Sequence, residues 1–318
     1  MTWLMSINPV LVKELRGRMR GARAFVILTV YLLVLAITMT LFYLAIADVA
    51  RFTLDANQGI GRALFLFVTV IALIQIGIVV PSQAASALTS EKESETYDLL
   101  ISTLLPPWKI VLGKLLAALA YALLLIIAVV PFMALSFFFG GVTVMEVLLA
   151  LLGLLVTCIL FGSIGLAWSA LMRRSLVSTT LTQATNAALL LGIPFLAVIF
   201  LSLFADRWPP PAWTTSAPVN YLWMAWLCLH PFIALGVSEV YLSQGETRLF
   251  FPVNEATMEP FAPIAEVSDR PATFLMLHPW LLFTIEALLL SLVLIALSIR
   301  WLRPLDERPG RRRRARQA

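Results

Sequence analysis

Charge is what this sequence has least of. Only 13% of its 318 residues are Asp, Glu, Lys or Arg, while 60% are apolar. A soluble globular domain carries about a quarter of its residues as charges, so a water-solvated fold is excluded. Cysteine and histidine are nearly absent too, with Cys158, Cys228, His230 and His278 making up both sets. Two cysteines support neither a disulfide framework nor a zinc site, and both read as small packing residues. Two pre-proline histidines with no carboxylate pair nearby are a poor start for a metal site. The single Gly-Lys pair, Gly113–Lys114, lacks a glycine five positions upstream and is followed by Leu115, so the chain cannot cradle ATP in the Walker manner. HExxH and GxSxG are missing, and no nucleophile–base set emerges. No catalytic, cofactor-binding or metal-binding residue is therefore assigned. The alternating ten-residue segments of a membrane β-barrel are lacking as well.

What remains is apolar sequence in long runs. Mean hydropathy is +0.92, and the runs predict an all-α polytopic membrane protein with six transmembrane helices at 25–47, 60–80, 110–139, 142–172, 176–204 and 279–302. The stretches around Pro131 and Pro194 exceed the roughly 20 residues a span needs, which predicts tilt or kinks. Gly140–Gly141 reads as a tight hairpin, and Arg173–Arg174–Ser175 as a second short connection. No cleavable signal peptide is read. An N-terminal interfacial helix is expected at 8–24: Asn8 and Pro9 suit N-cap and N1, Leu11, Leu15 and Met19 form an apolar line, and Lys13, Arg16, Arg20 and Arg23 lie along another face.

Basic residues set the orientation. With the N-terminus inside, eighteen Lys and Arg fall on inner segments and five (Arg51, Arg62, Arg207, Arg248, Arg270) on outer ones. That asymmetry places both termini in the cytoplasm of a multi-pass cell-membrane protein, and it explains the net charge without nucleic acid. Residues 205–278 are then external. Within them Asn220–Tyr241, Trp-rich and broken by Pro231, is expected as a helix pair at, or dipping into, the outer interface, in preference to a seventh span, which would carry the basic tail to the outer face.

One segment stands against the apolar background. "SEKESETYDLLISTLLPP", from Ser90 to Pro107, is read as an amphipathic helix over 90–105. Ser90 and Glu93 fit a capping box, Glu91, Glu93 and Glu95 favour the positive end of the helix dipole, and Pro106–Pro107 supplies the stop. Tyr97, Leu100, Ile101 and Leu104 share one face, while Glu91, Glu95, Asp98 and Ser102 share another. Helices resting on anionic lipid carry basic polar faces. An acidic face argues for a protein partner.

The run "SEKESETYDLLISTLLPPWKIVLGKLL" (Ser90–Leu116), following two spans, resembles the segment between the second and third helices of type-2 ABC exporter permeases. The matching residues are Glu91–Lys92, Thr96, Leu99–Leu100, Thr103 and Gly113–Lys114. Two positions depart from the pattern: Glu95 stands where glycine is usual before Thr96, and Leu104–Leu105 precede the first proline. "NPVLVKELRGRMRGARAF" also resembles the connecting helix that opens one permease subgroup. The resemblance implies a coupling helix that docks on a separate ABC ATP-binding subunit, with Glu91, Lys92, Glu95, Thr96, Tyr97, Asp98, Leu100, Ile101 and Leu104 as coupling residues. It implies ATP and Mg bound by that partner alone. It further implies a second permease subunit, identical or not, and export across the membrane.

Polar residues inside spans complete the inventory. Glu286 is the one carboxylate clearly within a span, and Gln75, Gln183 and Asn186 join it as a candidate substrate path or as interhelical glue. Glu146, at the start of its span, reads as interfacially exposed. Gly162, Ser163, Gly165, Ala167 and Ser169 suit close helix contact. An ion-driven carrier or channel, or a scaffold tethering a cytosolic partner, are the rival readings. A carrier would show midplane carboxylates, broken helices or paired repeats, and only Glu286 and two proline kinks point that way.

Overall fold

The computed structural model describes residues 9–19, 22–50, 56–97, 105–204, 217–243, 249–253 and 274–302. The helices are α1 (Pro9–Met19), α2 (Ala22–Ala50), α3 (Ala56–Ala85), α4 (Thr89–Glu93), α5 (Pro107–Phe139), α6 (Val144–Leu171), α7 (Ser175–Phe204), α8 (Ala217–Cys228), α9 (Pro231–Ser243) and α10 (Pro279–Leu302). Strands β1 (Phe250–Val253) and β2 (Phe274–Leu277) pair antiparallel, with Phe250 opposite Leu277 and Val253 opposite Phe274. Among the described residues six helices, α2, α3, α5, α6, α7 and α10, are long and apolar enough to cross a membrane. The chain is an all-α polytopic membrane protein, the small hairpin aside.

Helix α6 is the axle. One face joins α2, α3 and α5 in a core containing Leu35, Phe65, Ile76, Leu125, Met133 and Leu154. Its other face packs Leu160, Phe161 and Ile164 with Met224, Val237, Phe283 and Ala287 from α8, α9 and α10. Apolar surface gains nothing by leaving lipid for protein, so contact here depends on close approach of small residues. At Gly165 a β-carbon would lie 2.6 Å from the Pro81 carbonyl oxygen, so only glycine lets α6 and α3 meet there. The predicted two-glycine hairpin is real in its backbone. Gly140 and Gly141 have φ of 81° and 80°, which side chains resist.

The helix ends sort onto two faces. Leu302 of α10 shares a cluster with Ala87, Leu88, Ile110, Val111, Leu166 and Ala170, and α1 meets α4 and α5 through ion pairs on that side. On the opposite face lie Gly140–Gly141, β1, β2 and the start of α10. Helices α8 and α9 bend by 114° at Leu229–His230. Trp223 of α8 packs at a tilt against Phe200 near the Phe204 end of α7, at 4.6 Å between ring centres, and Tyr241 of α9 meets His278 before α10. Both ends of the pair thus belong to the opposite face, and the pair is re-entrant. Its apex bonds Leu190, fourteen residues short of Phe204 at the end of α7, a descent of about 21 Å at 1.5 Å per residue.

Two local expectations are corrected. The helix expected over 90–105 is broken, since α4 ends at Glu93 and Glu95 takes a left-handed φ of 56°. The Ser90–Glu93 capping box does not form. The helix begins one residue earlier, its N-cap Leu88 offers no side-chain cap, and Glu93 bonds elsewhere. Asp98, Leu100, Ile101 and Leu104 lie outside the described residues, as do the basic C-terminal residues from Arg303 onward and most of the 205–278 segment.

Candidate functional site

The charged segment sits where α1, α5, α6 and α7 converge, just beyond the end of α3. A helix start leaves amide donors without partners, and a helix end leaves carbonyls. Here the elements satisfy one another. The Ser169 hydroxyl of α6, fully buried, accepts from the Leu88 amide at 2.8 Å and the Thr89 amide at 3.1 Å, capping α4. In return, Lys92 of α4 donates to the carbonyls of Ser169, Ala170 and Met172 at 3.0, 2.7 and 2.7 Å, closing the end of α6. Glu93 accepts from the Ser175 amide at 2.8 Å and the Ser175 hydroxyl at 2.6 Å, capping the start of α7. A cation thus meets the negative end of one helix dipole and an anion the positive end of the next. Partial burial, with Arg173 nearby, pushes the Lys92 ammonium down to about 8, and three carbonyls supply the oxygen partners that a half-buried ammonium requires. The two bonds from Ser175 hold the Glu93 carboxyl below the usual carboxylate range.

A second network ties α4 to α1 and α5. Lys114, with 1% of its side chain exposed, lies 2.8 Å from Glu14 and 3.5 Å from Glu91, and Lys13 reaches Glu91 at 3.5 Å. Thr96 donates a short bond to the other Glu91 oxygen. Burial raises the Glu91 carboxyl, but the Thr96 bond and the Lys114 and Lys13 ammoniums together outweigh it, leaving the group below its ordinary value. Gly113–Lys114, noticed in the sequence for failing as a nucleotide loop, is the socket of this network.

The candidate coupling residues therefore divide. Glu91, Lys92 and Thr96 are engaged inside the protein, and Tyr97 lies half-buried with the Lys92 ammonium 5.5 Å from its ring centre. Ser90, Ser94 and Glu95 are exposed, as is Trp108 at the start of α5. These residues form the surface that the segment presents.

Within the spans, Gln183 donates to the Ile78 carbonyl at 2.9 Å and the Ser82 hydroxyl at 2.8 Å, and Ser178 bonds the Ala85 carbonyl at 2.8 Å. Gln183 is interhelical glue. These bonds fix an antiparallel register between α3 and α7, which carries Gln75 and Asn186 to one level. Among the described residues, both amide atoms of each are buried without a hydrogen-bond partner, and so is one oxygen of Glu286.

At the opposite face the structure adds what sequence reading missed. Glu146 is buried rather than interfacially exposed. It forms a capping box with Thr143 and meets Arg62 of α3 at 3.3 Å. Arg62 also lies 3.5 Å from the buried Glu239 of α9. Both carboxylates line a cavity of about 50 Å³ with Phe65, Phe232 and Trp280. The Thr143–Glu146 spacing was the available signal for the cap, and nothing in the sequence announced its basic partner. His230, set aside as a metal ligand, bonds the Leu190 carbonyl at 2.9 Å and accepts from the Ile233 amide at 3.1 Å.

Compared with known proteins, residues 52–299 match the family model described as ABC-2 family transporter protein. No curated protein matches the chain.

Proposed function

The chain belongs to the ABC-2 family of transporter proteins, and from that premise we propose that it is the permease subunit of an ATP-driven exporter whose ATPase is a separate chain. The carrying observation is the bracing of α4. Three consecutive residues, Glu91, Lys92 and Glu93, join α1 and α5, the end of α6 and the start of α7. A push delivered to this short segment would reach four other elements through direct hydrogen bonds and ion pairs. The exposed Ser90, Ser94 and Glu95, with Tyr97, form the docking patch, while Lys92 and Glu91 hold it in place. ATP and Mg belong to the partner, which supplies the hydrolysis that this chain lacks the motifs to perform.

In this reading the α1 face is cytoplasmic, by the distribution of Lys and Arg, in the cell membrane. Two permease subunits enclose the path. Gln75, Asn186 and Glu286 line it, because unpartnered buried polar groups in a bilayer cost free energy that a passing substrate's polar groups would recover. The test is co-purification of the co-expressed ATPase in detergent. Interface anchors cost more than about 1 kcal/mol when truncated. Tyr97→Ala should weaken retention at any salt concentration, and Glu95→Lys should weaken it chiefly at low salt. Full retention by both variants would remove the segment from the interface.

A further inference from the structure

We infer that His230 is a positioning residue, the joint through which movement of α7 reaches the re-entrant pair α8–α9 and the opposite face. The argument starts with Pro194, inside α7. Proline has no amide hydrogen, so the carbonyl four residues earlier loses its helical donor. That carbonyl belongs to Leu190, and it is the one that His230 meets, at 2.9 Å. The other ring nitrogen faces the Ile233 amide at 3.1 Å. An amide can only donate and a carbonyl can only accept. Nδ1 is therefore the acceptor and Nε2 carries the hydrogen, which fixes one neutral tautomer. A single imidazole thus supplies the donor that Pro194 withholds from Leu190 and caps the first turn of α9.

The consequence is mechanical, and it rests on the reading of this chain as an ATP-driven permease. At its lower end α7 is capped by Glu93 of the docking segment. At Leu190 it is fastened by His230, which is 5% exposed and packed against Phe232. From there α9 runs outward to Glu239, which faces Arg62 of α3, and to Tyr241, which packs against His278. Among the described hydrogen bonds that of His230 is the one joining α7 to the α8–α9 bend. Displacement of α7 from below is passed at this bond into a helix pair whose ends both lie on the far face.

The first test is a double-substitution cycle on the full chain purified in detergent, read as thermal unfolding midpoint. His230→Leu should lower the midpoint by several degrees in the parent and by less than half as much beside Pro194→Ala, because the amide that alanine restores at that position then satisfies Leu190. His230→Asn keeps an acceptor for the Ile233 amide but falls short of Leu190, and it should show the same dependence on Pro194 if His230→Leu fails to fold. Equal losses in both backgrounds overturn the joint.

The second test uses the complex with its ATPase and a nitroxide at Val240 on α9, which is 41% exposed. Mg-ATP with vanadate should change the nitroxide spectrum of the parent. His230→Asn should keep hydrolysis and lose the change. Retention of the full change, or no change in a hydrolysing parent, overturns transmission through His230. A complex that contains no ATPase would instead sink the permease reading, leaving the substitution cycle to decide the joint.

Discussion

Glu95 offers the most direct test of the docking segment. Its φ of 56° places an ordinary side chain in the left-handed region, at a cost of about 1–2 kcal/mol. Glycine at that position removes the clash but gives up roughly 0.5–1 kcal/mol through the freedom it gains in the unfolded chain. The difference leaves Glu95→Gly about 0.5–1 kcal/mol more stable locally. The residue is exposed, and among the described hydrogen bonds none from its side chain opposes the change. The turn is closed by the Thr96 amide bonding the Glu91 carbonyl at 3.0 Å. Hydrogen exchange at that amide reports its opening, and the gain corresponds to about two- to fivefold slower exchange. Glu95→Ala is the control, since alanine keeps the β-carbon and with it the strain. Equal exchange in the glycine and alanine variants would refute the left-handed assignment. If Glu95 also touches the ATPase, Glu95→Gly should combine a better-ordered turn with weaker retention of that subunit, a pairing that a purely structural residue does not give.

Three other predictions concern neighbouring links. Ser169→Ala strands two buried amides, each costing about 1–3 kcal/mol, and should release the 88–97 segment in hydrogen exchange while α6 stays protected; unchanged exchange would dismiss the hydroxyl as a cap. Glu286→Gln should reduce export while leaving assembly with the ATPase intact, and normal export would make Glu286 a structural group. Glu91 and Glu93 both sit below their ordinary carboxylate value, so their contribution is present above the unfolded pKa, about 4.3, and disappears as pH falls through the lower folded values. Thermal midpoints should accordingly drop as the pH falls below about 4.3, and less steeply in Glu91→Gln.

The spans were legible because lipid imposes one demand on every residue of a run, and α10 and α7 announce themselves by length and hydropathy alone. The re-entrant pair was half legible. Pro231 and the Trp residues marked a broken element, but its depth depends on His230 finding the Leu190 carbonyl, a contact between residues forty positions apart. The charged segment was misread internally. Ser90 and Glu93 have capping-box spacing, yet Ser169, nearly eighty residues away, provides the cap. Local rules assume local partners, and at this crossroads the helix ends satisfy one another across the fold. Glu146 shows the converse, since its local cap was readable at three-residue spacing while its burial depends on Arg62 from a different helix.

The re-entrant geometry of α8–α9 also bears on how such a chain can change over time. A segment that crosses once reverses the side on which everything after it emerges. One that dives about 21 Å and returns leaves that parity untouched. Residues 217–243 can therefore be lengthened, shortened or exchanged between relatives without turning α10 upside down. That half of the molecule is free to vary its lining while the arrangement around α4 keeps its handedness. Deleting the pair in the laboratory should leave a tag beyond Leu302 on its original side of the bilayer.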